Sequence, residues 1–181
     1  TVQELCDKNA ARFEELTKVL KCTNNDFIRT SDQKRHWPAV QKLWKKLVKK
    51  GDIYKDNYVG RYCVGCEKFI LEKELVDNKS PNHDCEREKL EEENYFFRLS
   101  KYSKQIGDLI RSRELAIIPE FRAKEILNII EEGLTDVSFS RPRKALNWGI
   151  PVPDDDDQVM YVWCDALSNY LSGIGYAEET N

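Results

Sequence analysis

The feature that most constrains the fold lies near the end of the chain. Gln158-Val-Met-Tyr-Val-Trp-Cys164 is a near-continuous apolar run, and it passes without a turn residue into Asp165-Ala-Leu-Ser-Asn-Tyr-Leu171. Such a run predicts a strand buried on both faces. Asp165 is then expected to cap a helix carrying Ala166, Leu167, Tyr170 and Leu171. A buried strand flowing into a capped helix is the repeating unit of α/β folds, which bind ligands at the carboxyl edge of a parallel sheet. Trp163, Ala166 and Tyr170 are expected at that edge. Core packing accounts for the two aromatic residues about equally well on pattern alone.

The segment before this unit is extended, because the two prolines of Trp148-Gly-Ile-Pro-Val-Pro153 forbid a helix. Asp154–Asp157 reads as a solvated turn. Three of its carboxylates have the chemistry for Mg²⁺, but hard-cation sites usually draw ligands from several elements.

Upstream, residues 2–20 read as an amphipathic helix with Val2, Leu5, Cys6, Phe13, Leu16, Val19 and Leu20 on one face. Asn24-Asn25 breaks it, and Asp26–Thr30 is a short strand candidate. A second helix is predicted from Pro38 to Gly51, burying Val40, Leu43, Trp44, Leu47 and Val48. Its other face is basic: Gln33 to Lys50 holds seven Lys or Arg and no acid. Such a face can grip RNA phosphates, although a solvated face opposite a core stripe is the simpler account. Helices are expected again at 101–112 and at 119–132, the latter opened by Pro119 and closed by Gly133.

Between them the texture changes. Residues 52–97 hold short Tyr- and Val-rich pieces around Cys63-Val-Gly-Cys66 and a polar loop at 77–84, a small β-rich insertion with little core of its own. Two thiolates on one tight turn can face one Zn²⁺, and tetrahedral zinc needs two further ligands. His83 and Cys85 lie on the next polar loop, though spaced H-x-C. Two structural thiols account for the same residues, and a redox pair is disfavoured because Lys68-Phe-Ile-Leu reads as a strand rather than a helix start.

Several classes are excluded or unsupported. No apolar run approaches the roughly 20 residues of a membrane helix, and Thr1-Val-Gln-Glu-Leu lacks the pattern of a signal peptide. The six cysteines are scattered, which favours a reducing compartment over a disulfide framework. No phosphate-loop, dinucleotide-fingerprint or nucleophile-elbow motif occurs. Lys101-Tyr-Ser-Lys104 superficially matches the K-x-S-K core of a nucleotide-binding loop, but it begins an amphipathic helix and lacks flanking glycine, which makes it a decoy.

Three blocks together resemble the methionyl-tRNA synthetase family of class I. They are Phe27-Ile-Arg-Thr-Ser31 with Tyr58-Val-Gly-Arg-Tyr-Cys-Val-Gly-Cys66; Glu93-Asn-Tyr-Phe-Phe-Arg-Leu-Ser-Lys-Tyr102; and Ser138-Phe-Ser-Arg141 through Trp148–Pro153 to Tyr161-Val-Trp-Cys-Asp-Ala166. Their order and spacing match over essentially the whole chain. The resemblance implies an α/β chain, part of a Rossmann-like fold of parallel strands at 1–51 and 100–181, with 52–99 as an inserted connective peptide resembling a zinc knuckle. It implies a methionine–tRNA ligase that joins methionine to ATP and passes the methionyl group to the acceptor end of tRNA, with Mg²⁺ assisting. By the same resemblance Trp163, Ala166 and Tyr170 wall the methionine side chain, and Arg141 serves the catalytic centre.

The family's H-I-G-H and K-M-S-K-S signatures, which hold ATP, do not occur. The chain therefore reads as an internal segment, inactive by itself, of a cytoplasmic or organellar enzyme. The second knuckle of zinc-binding members, C-P-x-H, is here Ser80-Pro-Asn-His83, with serine where a thiolate belongs. Cys164 stands where a larger apolar residue is common. A stand-alone zinc-knuckle RNA-binding module is the rival from another class. A class I synthetase for another amino acid would need a longer editing insertion.

A site built from Cys63, Cys66, His83 and Cys85 should retain about one zinc per chain after purification without chelator, and lose it in Cys63→Ser. Less than about a tenth of that, with thermal stability indifferent to chelator, would mark the cysteines as structural thiols.

Overall fold

Thr1 starts the first helix, α1 (Val2–Val19), through a reciprocal cap: its Oγ1 accepts from the Glu4 amide at 3.3 Å, while its amino group donates to the Glu4 carboxylate at 2.6 Å. The helix buries none of its residues. It is tied to the next segment by Arg29, whose Nη2 lies 2.7 Å from Asp7 Oδ1. The computed structural model describes residues 1–63, 68–70 and 88–177. Asp26–Thr30, expected as a strand, joins no ladder among them. Its carboxylate and carbonyls are engaged locally instead: Asp26 pairs with Arg35, and the Trp37 indole donates to the Thr30 carbonyl at 3.2 Å.

Helix α2 (His36–Lys49) begins two residues before Pro38 rather than at it. Asp32 organises the entry, its Oδ1 accepting from the Lys34 and Arg35 amides at 2.8 and 3.0 Å. A chain reversal then leads to β1 (Ile53–Cys63), which pairs antiparallel with β2 (Lys68–Ile70) and β3 (Glu88–Phe97). The end of β3 also pairs with β4 (Val137–Ser138), so the strands of the expected insertion share a sheet with a downstream element. Between β3 and β4 run a 3-10 turn at Leu99–Tyr102, α3 (Ser103–Arg111) and α4 (Phe121–Glu132). Pro119 precedes α4 through a cis bond instead of opening it. A second sheet has the order β5 (Ser140–Pro142), β7 (Asp155–Met160), β6 (Pro151–Val152), and β7 feeds α5 (Val162–Ser172).

Two expectations about this last unit are corrected. The strand covers Asp155–Met160, three residues earlier than the apolar run suggested, and Asp155–Asp157 belong to it rather than to a turn. Val162, Trp163 and Cys164 are helical, with Tyr161 rather than Asp165 as the N-cap. The ladder ends where its bonds end: the Met160 amide donates to the Ile150 carbonyl at 2.7 Å and the Tyr161 amide to Phe139 at 2.8 Å. The pairings among the described residues are antiparallel, not parallel. For β6 and β7 connectivity dictates this: two residues join them, and a parallel crossover needs a dozen or more.

The core forms where α2, α5 and both sheets meet, from Val40, Trp44, Ile53, Ile150, Val152, Met160 and Cys164. Trp44 meets Tyr95 edge-on at 5.4 Å, and Phe97 stacks on Phe139 at 4.9 Å. Gly149, at φ +131°, makes the bend that delivers Ile150 to this core. A side chain there would be strained regardless of space.

Asp52, fully buried, locks the end of α2 to the 3-10 turn. Its carboxylate accepts from Lys101 Nζ and the Tyr102 hydroxyl, both at 2.5 Å. The Lys101 ammonium first, and the Tyr102 hydroxyl second, hold its pKa below the ordinary 3.8. The folded form thus binds this proton more weakly than the unfolded chain. Its stabilisation is full above pH 3.8 and lost as the pH falls through that value towards the lower folded one. In urea titrations Asp52→Asn should lower the midpoint at neutral pH and flatten the loss of stability on acidification. An acid limb as steep as wild type would deny Asp52 this part.

Candidate active site

Helix α5 presents two unlike faces. Cys164, Ser168 and Ser172, at four-residue intervals, are buried against α2. The serines are small enough for close approach, and their hydroxyls donate back to the carbonyls of Cys164 and Ser168 at 2.5 and 3.0 Å. The opposite face is open. Trp163 is 50% exposed and Tyr170 81%, with Ala166 exposed between them. Spaced three and four residues apart, the three lie on one stripe of the helix. The structure therefore brings together the three residues singled out for the methionine side chain, on a helix rather than at a strand edge. Leu167 and Val162 add exposed apolar surface beside them.

Arg141 lies on β5, the neighbour of β7 in the second sheet, and is 8% exposed. Its guanidinium pairs with Glu92 of β3, Nε to Oε2 at 3.0 Å and Nη2 to Oε1 at 3.4 Å. It also lies 5.5 Å from the ring centre of Tyr161, the residue that caps α5. Arg141 thus stands at the start of the helix that carries the stripe, with its charge balanced by a buried carboxylate. Next to it a polar chain joins the sheets: the Tyr95 amide donates to Ser140 Oγ at 2.8 Å, Ser140 to Gln158 Oε1 at 2.7 Å, and Gln158 Nε2 to the Glu93 carbonyl at 2.7 Å.

His36 is the residue that sequence inspection missed. It is fully buried at the start of α2, with Nδ1 2.6 Å from Ser172 Oγ and Nε2 2.6 Å from Asp165 Oδ1. The partners are 136 and 129 residues away in sequence, so nothing local announces the contact. The one available signal is the seven-residue spacing of Asp165 and Ser172, which puts two polar groups on the same helix face. A serine, a histidine and an aspartate in contact suggest a nucleophilic triad, but the geometry speaks against one. The serine sits on Nδ1 and the carboxylate on Nε2, the reverse of a working triad. Ser172 is 3% exposed, out of reach of any substrate carbonyl.

Of the suggested zinc ligands, Cys63 ends β1, whereas Cys66, His83 and Cys85 lie outside the described residues. Among the described residues no group of three or more His, Cys, Asp or Glu is placed to hold a metal. The acids once offered to a hard cation do not converge: Asp155 Oδ2 is held by Lys55 Nζ at 3.1 Å and by the Tyr95 hydroxyl at 3.0 Å. Burial pushes the Cys164 thiol up to about 12, which removes it as a thiolate nucleophile near neutral pH.

Comparison with known proteins gives a consistent picture. A family model described as "tRNA synthetases class I (M)" matches residues 1–89 and 70–181. The methionine–tRNA ligase of Thermotoga maritima is 44% identical over 178 residues, 96% of this chain and 28% of that protein. The methionine–tRNA ligase of Brucella suis is 42% identical, matched over 100% of this chain and 35% of its own length. The chain spans about a third of the length of these curated relatives. Among solved structures, the Mycobacterium tuberculosis methionyl-tRNA synthetase bound by methionyl-adenylate superposes with a TM-score of 0.86 at 38% identity, covering 97% of this chain and 35% of that one. Its apo form gives a TM-score of 0.81 at the same identity.

The Arg141–Glu92 pair carries a stability consequence. Glu92→Ala removes a buried carboxylate from the Arg141 guanidinium, and breaking a buried pair costs about 3–5 kcal/mol. Urea unfolding of the variant should show a loss of that order. A change below about 1 kcal/mol, the size typical of an exposed pair, would mean that the ion pair is solvated.

Proposed function

The chain belongs to the tRNA synthetases of class I (M), and on that ground we propose that the protein is a methionine–tRNA ligase to which this segment contributes the wall of the methionine pocket. The observation that carries the proposal is the open stripe of Trp163, Ala166 and Tyr170 on α5. It occurs in a backbone closely similar to that of a synthetase bound by methionyl-adenylate. Two aromatic rings flanking an alanine suit an unbranched thioether, because sulfur is polarizable and packs favourably against rings. A fixed apolar wall also discriminates against polar side chains, which would lose their hydrogen bonds to water there.

The reaction has two steps. The methionine carboxylate attacks the α-phosphorus of ATP, forming a carboxyl–phosphate anhydride and releasing pyrophosphate. A ribose hydroxyl at the acceptor end of tRNA then attacks the activated carbonyl, forming the ester and releasing AMP. We assign Arg141 to the first step, where a guanidinium offsets carboxylate or phosphate charge. Its position beside the α5 cap supports the assignment, and the bond to Glu92 orients it. Mg²⁺ would neutralise phosphate charge in such a reaction. Among the described residues no group of three or more acids, histidines or cysteines is placed to hold it. The boundaries at 51/52 and 99/100, and a zinc site built from Cys63, Cys66, His83 and Cys85, remain part of the same proposal, as does a reducing compartment, the cytoplasm or an organellar matrix. Cys6, Cys22 and Cys164 are free thiols, which suits such a compartment.

Full-length protein carrying this segment should catalyse methionine-dependent ATP–pyrophosphate exchange, and residues 1–181 alone should not. Trp163→Ala in the full-length protein should reduce kcat/KM for methionine roughly 100-fold, the scale of deleting one aromatic wall. Unchanged kinetics would return Trp163 to a packing role.

A further inference from the structure

The stripe is only as well aimed as the helix that carries it. At about 100° per residue, Asp165 and Ser172 point within about 20° of each other and about 180° away from Trp163. They are also separated by about 10 Å along the axis, nearly two turns. His36 therefore grips α5 at two points on the line directly behind the stripe. A single contact there would let the helix pivot, whereas two separated contacts restrain both its roll and its tilt. The ring itself cannot adapt: it is fully buried and both nitrogens are engaged. An imidazole stripped of water strongly disfavours any motion that leaves a nitrogen unpaired. The apolar contacts behind α5 are weaker guides to rotation. The fully buried residues of α5 are Cys164, Ser168 and Ser172, whose small side chains restrain rotation less than large ones would.

We infer that His36 is a positioning residue for substrate selection: by bridging Asp165 and Ser172 from α2, it sets the rotation of α5 and hence the direction of Trp163, Ala166 and Tyr170. This rests on the methionine-pocket assignment above. No atom of His36 needs to touch the substrate, since all of its effect passes through α5. Loss of the bridge should loosen the fit of the amino-acid side chain and leave ATP recognition and chemistry largely intact.

The test uses the full-length protein and pyrophosphate exchange with methionine and with norleucine, in which a methylene replaces the sulfur. His36→Ala should raise KM for methionine about tenfold, less than the roughly hundredfold cost of an ångström-scale misplacement at a reacting centre. It should also narrow the methionine-to-norleucine preference, with kcat and the KM for ATP within about twofold of wild type. His36→Asn retains a group near Nδ1, and Ser172→Ala retains the Asp165 contact. Each should therefore fall between wild type and His36→Ala, and both keep the test decisive if His36→Ala does not fold. Methionine KM and preference indistinguishable from wild type in His36→Asn and Ser172→Ala, with only a lower Tm, would overturn the positioning role. The pocket assignment would survive that result if Trp163→Ala still impaired methionine use. Absence of methionine-dependent exchange in the wild-type protein would remove the pocket assignment, and this inference with it.

Discussion

The burial of one imidazole organises this chain more than any other single interaction. An apolar contact tolerates sliding, because area is lost gradually as surfaces shift. A desolvated polar ring does not, because each nitrogen must keep a partner within hydrogen-bond distance. His36 meets both demands with side chains from one helix, Asp165 and Ser172. The first turn of α2 is thereby placed against α5 between Asp165 and Ser172. The core then closes around that crossing, with Val40 and Trp44 on one side and Met160 and Cys164 on the other.

The same logic recurs at smaller scale. Asp52 joins the end of α2 to the 3-10 turn through Lys101 and Tyr102. Glu92 and Arg141 join the two sheets, and Ser140 and Gln158 do so again through the backbone of Tyr95 and Glu93. Each tie brings together side chains from elements remote in sequence, and each is buried at one end or both. In an interior of modest apolar volume, such ties contribute specificity of arrangement more than net stability, because the desolvation of their charges offsets much of the attraction. The lysine that resembled part of a nucleotide-binding signature, Lys101, is one of them.

The division of α5 into an anchored face and an open one links these ties to function. Its buried side is polar and tightly paired, and its open side is apolar and aromatic, the reverse of a helix on the surface of a soluble domain. An apolar stripe facing outward and held rigidly from behind is suited to receive an apolar side chain. The antiparallel sheet beneath it supplies Arg141 beside the N-terminal cap of the same helix. In the proposed reading, adjoining elements serve recognition of a side chain and of charge near its α-carbon.

Local periodicity made much of this legible from the residues alone. The helices α1 and α2, the buried pair Val40 and Trp44, the extended Pro151-Val152 and the grouping of Trp163, Ala166 and Tyr170 all follow from spacings within a few residues. The family resemblance was legible for the same reason, since its blocks are contiguous. The boundary between β7 and α5 was not. An apolar run is compatible with a buried strand or a buried helix, and only the ladder bonds ending at Met160 and Tyr161 decide between them. Sheet polarity was equally hidden, because it depends on which strands meet. So was the purpose of Asp165, which looked like a helix cap and instead holds His36. The sequence by itself determined which faces each element would offer. The tertiary structure alone decided which faces met, because a buried donor or acceptor finds its partner through space, at separations that no local pattern records.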